Sequence, residues 1–386
     1  MQKSPFIFGN TVSAHSFTNR DKERKKLEQN LISGINTMII SPRRWGKSSL
    51  VEKVLQDIKK EYSTIKCVSI DLFSVSTEEE FLELFAKEVI KSTSTKWEDW
   101  VATTRDVFKQ LLPSISFGID PVNDFKINFN WEELQEHSRE ILNLPERLAI
   151  SKGIKIVIAI DEFQNLAEFP NFTVFEKKMR SYWQKQKNTS YCLFGSKRHM
   201  MTEIFADPGK PFYKFGDLIL LQKIKAKDWI PFLIKSFKKT GKTITPKTAE
   251  KIALLMKNHP WYVQQLSHYC WNNSGKIVEL EDLNRALREL ISANSPLFQR
   301  EIEILSSSQV NLLKAIVSGE EKLTSTRVMQ QYHLGTPRNV SKNKALFLRN
   351  DLAESVNKKL FLLDPAFELW FRWQFFKEPI FDLEIM

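Results

Sequence analysis

Ten residues constrain this chain more than any others: Ser41-Pro42-Arg43-Arg44-Trp45-Gly46-Lys47-Ser48-Ser49-Leu50. An apolar run, Met38-Ile39-Ile40, precedes them, and a segment that reads as a helix, Leu50 to Lys60, follows. Strand, tight loop and helix in that order make a cradle for phosphate. Loop N–H groups point inward, the helix N-terminus adds partial positive charge, and a lysine reaches the outer phosphates. Lys47 is the candidate lysine, and the Ser48 hydroxyl is the candidate ligand for Mg²⁺. Gly46 lets the backbone approach without a Cβ in the way. Arg44, Trp45 and Ser49 complete the candidate nucleotide-binding loop. The pattern asks for glycine where Ser41 stands, and serine enters positive φ reluctantly. Taken alone, the segment could be a basic turn before a surface helix; the strand before it and the helix after it favour the cradle.

A second signal lies about 110 residues downstream, in Ile156-Val157-Ile158-Ala159-Ile160-Asp161-Glu162. A run of five apolar residues fits a strand buried on both faces. It ends in two carboxylates where a parallel sheet presents its ligand-binding edge. Asp161 is expected to hold the Mg²⁺ shell, and Glu162 to polarise an attacking water or stabilise its proton loss. The same pair could cap the helix that follows; a phosphate cradle on the same chain makes that reading the weaker one. The next apolar run, Tyr191-Cys192-Leu193-Phe194-Gly195, ends in Ser196-Lys197-Arg198-His199. Ser196 is the first candidate for a polar group beside the terminal phosphate, with Arg198 second; a plain polar loop is an equal alternative.

Strands expected at 35–40, 66–73, 156–160, 191–195 and 218–221 alternate with helical segments, so the first 221 residues read as an α/β domain around a parallel sheet. Ser76 and Thr77 ahead of Glu78-Glu79-Glu80 predict a helix start and a helix to about Lys91. Residues 113–131 alternate apolar and polar residues on either side of an Asp-Pro-Val-Asn-Asp stretch, which predicts an inserted hairpin outside the main sheet. Near the N-terminus, Asn19 is a fair cap for an amphipathic helix running through Leu27 and Leu31. A segment just before the first strand often touches the base in nucleotide-binding folds, which makes Phe17 and Arg20 candidates; a plain surface helix would look the same.

The net charge of +11 favours polyanionic partners without naming them. Cys67, Cys192 and Cys270 lie far apart among apolar neighbours, with no metal spacing or disulfide framework, which suits a reducing compartment. No apolar run reaches membrane-spanning length and the N-terminus shows no leader pattern, so the expected location is cytoplasmic with no membrane partner. Residues 222–298 read as a small helical lid domain, in which Pro260 suits the first turn of a helix and His259 could face the nucleotide, with a structural histidine at the helix start an equal alternative. Residues 299–386 read as three helices and a hairpin, the outline of a winged helix. Between Arg327 and Asn350 there are five basic residues and no acid. Arg338, Lys342, Lys344 and Arg349 are therefore candidates for double-stranded DNA; protein or interdomain contact, or a homo-oligomer, are the alternatives. The aromatic tail, residues 367–376, reads as core or interdomain packing.

With these residues in hand, the chain resembles the archaeal-type ATPase family, within the AAA+/STAND group of P-loop NTPases. The carrying segments are Phe17-Thr18-Asn19-Arg20, residues 41–50, Ile160-Asp161-Glu162-Phe163-Gln164, Gly195-Ser196-Lys197-Arg198-His199, residues 211–217, His259-Pro260-Trp261-Tyr262 and Asp364-Pro365. The resemblance implies a five-stranded parallel ATPase sheet (AAA+-like), a helical lid and a C-terminal winged helix, with Mg-ATP as ligand. It places Pro260 with the nucleotide contacts. Lys214 stands where the family often has arginine. The implied activity is slow ATP hydrolysis driving a conformational switch coupled to the winged helix. The alternatives are a nucleotide-tuned DNA-binding regulator and a protein-interaction scaffold with low ATPase activity.

Overall fold

The computed structural model describes residues 3–9, 20–93, 116–119, 125–128 and 131–379. They fall into two compact units, one of residues 21–43 and 47–221, the other of residues 1–20, 44–46 and 222–386.

The first unit is built on a sheet of five parallel strands. These are β1 (Thr37–Ile40), β2 (Ile65–Asp71), β5 (Lys155–Asp161), β6 (Thr189–Gly195) and β7 (Asp217–Leu220), in the order β2-β5-β6-β1-β7. The expected α/β class and parallel sheet are therefore present. Ile156 to Ile160 are all buried, as a strand covered on both faces requires. β1 lies between β6 and β7, with Ile39 opposite both Phe194 and Ile219. β6 separates β1 from β5, which puts those two strands about 10 Å apart. The chain leaves β1, β6 and β5 at one edge, at Ser41, Ser196 and Glu162.

The antiparallel pair β3 (Ser116–Ile119) and β4 (Phe125–Asn128) is a separate two-stranded sheet. Residues 113–115, 120–124 and 129–130 of the expected hairpin lie outside the described residues. Trp131 opens a helix that runs to Lys152. At the helix Glu78–Thr93, the Thr77 hydroxyl accepts the Glu80 N–H (3.2 Å) while the Glu80 carboxylate accepts the Ser76 N–H (2.8 Å). That is the expected cap with its acidic first turn. The core of this unit gathers Met38, Ile40, Val68, Ile70, Phe81, Phe85, Ile158, Ile160 and Trp183, among others.

Among the described residues of this unit, one acid is buried. Glu176, on the helix Phe172–Trp183, has no solvent exposure. Burial pushes its carboxyl up to about 6, against the pull of Lys210 and the Phe212 backbone. A carboxyl raised in the folded state stabilises nothing extra below its unfolded value. It costs stability progressively as pH rises from about 4.5 to about 6, and the loss stays constant above that. Glu176→Gln is therefore expected to raise stability at pH 7 to 8 by about 2 kcal/mol and to leave it unchanged near pH 4. Urea unfolding of both chains across that pH range checks this; a gain that is equal at all pH values would contradict it.

The second unit is mostly helical. The helices Ala226–Lys239, Pro246–Leu255, Pro260–Asn273 and Leu280–Glu303 come first, with a short parallel pair, β8 (Thr243–Ile244) and β9 (Ile277–Val278). Then follow Ser307–Val317, Thr326–Gln331, Pro337–Arg349, the hairpin β10 (Ala353–Val356) and β11 (Lys359–Leu362), and Pro365–Phe371. Side-chain caps start five of these helices: Thr245, Ser306, Ser325, Thr336 and Asp364 each accept a first-turn N–H. One continuous apolar core runs from Phe6 to Phe371. Within the aromatic tail, Phe367, Trp370 and Phe371 are buried, and the Phe371 and Phe375 rings stack at 4.3 Å. Core packing accounts for them, whereas Trp373 is exposed.

Candidate functional site

Two sequence segments 110 residues apart meet at the open edge of the sheet. Lys47 opens the helix Lys47–Glu61, three residues earlier than the sequence suggests, and is buried. Its Nζ lies 4.0 Å from Asp161 Oδ1 and 3.7 Å from Glu162 Oε1. The Ser48 hydroxyl donates to Asp161 Oδ2 at 2.8 Å, and the Glu162 N–H donates to Asp161 Oδ1 at 2.7 Å. Burial raises the Asp161 carboxyl above its ordinary value against the pull of Lys47 and Ser48. Burial would do the same to Glu162. There the hydrogen bond from Gln164, the Lys47 charge and Ser196 outweigh it, and the carboxyl is held below its ordinary value. Glu162 is therefore a carboxylate at neutral pH, suited to accept a hydrogen bond from water.

Ser196 completes the cluster. Its hydroxyl donates to Glu162 Oε2 at 2.8 Å, and its N–H reaches the same oxygen at 3.3 Å. Arg198 opens the next helix, Arg198–Ala206, two residues further on. Two residues that sequence reasoning did not single out join them. Arg43 Nε donates to Ser196 Oγ at 3.4 Å, and Gln164, buried behind the strand tip, donates to Glu162 Oε2. Glu162 itself has a left-handed backbone, φ 52°. Strain of this kind persists where the surroundings over-determine a conformation, and it is common at functional sites.

The loop settles the question raised by Ser41. The left-handed residues are Arg44 (φ 65°) and Gly46 (φ 87°), and Ser41 is not among them. Ser41 is buried and donates its hydroxyl to the Pro42 carbonyl at 3.2 Å. Serine therefore carries no backbone penalty at the position where the pattern asks for glycine. Arg44 does bear one, and its guanidinium lies 4.7 Å from the centre of the Trp261 ring, a cation–π contact that offsets part of the strain. Trp45 is buried, with Lys223 Nζ 5.5 Å above its ring and His259 edge-on at 6.4 Å. Pro260 is the first residue of its helix, as expected, with His259 at the cap position. Burial, then Lys223 and Arg44, push the His259 imidazole down to about 3, so it is neutral at physiological pH.

Arg20 donates to the Gln222 carbonyl at 2.6 Å and to the Trp45 carbonyl at 3.0 Å, and so anchors the loop from behind. Ser49 is buried in the first turn of the helix after the loop. Phe17 lies outside the described residues.

Gly195 shows how tightly the cluster is packed. A Cβ added there would sit 1.8 Å from Gln164 Oε1 and 2.9 Å from Met201 Sδ. Gly195→Ala is expected to push Gln164 away from Glu162, lowering any hydrolysis that depends on Glu162 by roughly tenfold and stability by about 1–3 kcal/mol. Adding Gln164→Ala to that variant makes room for the methyl group and should restore stability but not turnover. Steady-state hydrolysis and urea unfolding of the single and double variants test this; no effect of Gly195→Ala on either would contradict it.

Ser48 and Asp161 present hard oxygen donors, the set Mg²⁺ prefers. Their 2.8 Å separation is close to the ~2.9 Å between neighbouring ligands in an octahedral Mg²⁺ shell. The residues present therefore fit a magnesium ion.

A strand, a loop ending in Gly-Lys-Ser, and an acidic tip two strands away make the arrangement of a P-loop NTPase fold. Residues 45–177, about a third of the chain, match the KAP family P-loop domain. By structure, the chain is similar to the Walker-type ATPase PABY2304 of Pyrococcus abyssi, with a TM-score of 0.67, 17% identity, and 95% of this chain and 99% of that one covered. It is also similar to the ORC2 protein of Aeropyrum pernix in its ADPNP–ADP complexes, with a TM-score of 0.57, 14% identity and 94% of each chain covered. No curated protein matches the chain by sequence. These findings show a P-loop domain over residues 45–177 and the fold of Walker-type ATPases along the chain. Among the described residues, no helix is long and apolar enough to cross a membrane.

Proposed function

We propose that the chain binds and hydrolyses Mg-ATP and uses the cycle as a conformational switch. The observation that carries this reading is the meeting of Lys47, Ser48, Asp161 and Glu162 within 4.0 Å contacts at one sheet edge. Lys47 neutralises the outer phosphates, and the N–H groups of residues 44–49 cradle them. Arg44, Trp45, Gly46 and Ser49 belong to that cradle, and Arg20 holds it through the Trp45 carbonyl. Ser48 and Asp161 hold the magnesium ion, whose chemistry when bound is to draw charge off the transferring phosphate. Glu162 orients a water and takes up its proton, and Ser196 fixes the carboxylate through Oε2, with Arg198 as a second polar candidate. The Aeropyrum pernix ORC2 structure contains ADPNP and ADP, which supports adenine nucleotide as the ligand of a fold like this one.

The C-terminal elements, three helices and a hairpin in that order, read as a winged helix that the switch controls. A second reading, nucleotide-tuned binding to double-stranded DNA, is favoured by the exposed basic face of the helix Pro337–Arg349. Arg338, Lys342 and Arg349 recur there at spacings that share one side of a helix. Arg327 takes no part, being bonded to Glu320 at 2.6 Å.

ATP hydrolysis with and without duplex DNA, on the wild type and on Glu162→Gln, tests both readings. Mg²⁺-dependent turnover that is lost in the variant supports the first, and acceleration by DNA supports the second. No Mg²⁺-dependent turnover under any condition would reject the hydrolase.

A further inference from the structure

The hairpin of the second unit contains a residue that local rules disfavour. Val356 pairs with Lys359, so the loop between β10 and β11 is the dipeptide Asn357-Lys358. Both residues have positive φ, 51° and 68°. A two-residue turn of this kind favours asparagine and then glycine. The asparagine is present, but the glycine position holds lysine, whose Cβ works against the turn.

Lys358 borders a cavity of about 360 Å³. Lys322 and Lys344 line the same space, with Thr324, Ser325 and Ser341 and one acid, Glu321. The Glu321 carboxylate lies 3.5 Å from Lys359, outside that trio of lysines. Among the described residues, no carboxylate pairs with Lys322, Lys344 or Lys358. Three lysines bordering one small space concentrate positive charge there, and an anion relieves the repulsion between them. Lys344 also stands apart from the exposed basic face of its own helix. Arg338, Lys342 and Arg349 lie together on that face, while Lys344 lies on the flank with Ser341, next to buried Val340.

We propose that this cavity is a phosphate-binding site, in which Lys322, Lys344 and Lys358 grip one phosphate of a nucleic-acid backbone. Three ammonium groups with neighbouring hydroxyls match the several acceptor oxygens of a phosphate better than the two of a carboxylate. A lysine held in a glycine position is a local rule broken for a binding role. The nucleic-acid occupant rests on the duplex-binding reading, whereas the site is remote in sequence from Lys47 and does not depend on the ATPase reading; Mg-ATP hydrolysis by the same variants reports on that reading separately.

The test uses the full chain, with a labelled duplex DNA titrated at about 50 to 200 mM salt. Lys358→Gly is expected to raise the urea midpoint of unfolding yet weaken duplex binding by about tenfold at the low-salt end. A purely structural lysine would not give that opposition. The double variant Lys322→Gln/Lys344→Gln should lower the slope of log affinity against log salt by about one, the share of a single phosphate. In a second arm, inorganic phosphate is titrated and followed by thermal unfolding. Protection of the wild type that the double variant lacks, without duplex binding, identifies a free phosphate as the occupant and keeps the site. If the wild type binds neither probe, or if all variants bind both as the wild type does, the proposal is overturned.

Discussion

Glu162→Gln is expected to lower ATP turnover by about 10²- to 10³-fold while leaving Mg-ATP affinity within a few-fold of the wild type. The substitution keeps the size of the side chain and one of its oxygens. It removes the negative charge that lets the carboxylate take a proton from water, and general-base contributions are typically of this size. The left-handed backbone at this position and the hydrogen bonds from Gln164 and Ser196 hold the replacement where the carboxylate stood. Lys47 loses one carboxylate at 3.7 Å but keeps Asp161 at 4.0 Å, so its own position is little changed. Binding should survive, and calorimetry with Mg-ATP measures it directly, alongside single-turnover hydrolysis. Loss of binding and turnover to the same degree would remove Glu162 from its catalytic role.

Lys47→Ala should act at the earlier step, weakening nucleotide binding by about 100-fold. Hydrogen bonds to charged groups contribute about 1.5–3 kcal/mol each, and this lysine is buried where no other cation of the cluster can replace it at the same atom positions. Its removal also leaves Asp161 and Glu162 as neighbouring acids without the charge that favours their ionised forms. A triphosphate added to that pocket meets two carboxylates and no ammonium group. The same calorimetric titration reads the effect, with far-UV circular dichroism to show that the fold persists. Affinity within threefold of the wild type, on the order of RT, would mean that Lys47 does not contact the nucleotide.

How much of this could be read beforehand follows from what each residue depends on. The strands were legible because long apolar runs such as Ile156–Ile160 encode burial on both faces. Lys47, Ser48, Asp161 and Glu162 were legible because each sits at the end of such a strand or in the loop beside it. The helix Trp131–Lys152 was not, since Pro145 lies inside it and breaks the pattern by which a helix is recognised. Gln164 and Gly195 escaped for a different reason. Their importance lies in one packing contact across the sheet, where the missing Cβ of Gly195 makes room for the amide that holds Glu162. No spacing in the sequence reports such a contact. Ser41 taught the reverse lesson: the glycine of the phosphate-loop pattern is dispensable here because the positive φ angles fall at Arg44 and Gly46 instead.

The most direct measurement is the structure of Glu162→Gln with Mg²⁺ and ATP bound. It should show an outer phosphate oxygen about 2.8 Å from Lys47 Nζ, and the magnesium ion beside Ser48 Oγ and the Asp161 carboxylate. A triphosphate seated away from Lys47, with Ser48 still donating to Asp161 and no ion between them, would contradict the account.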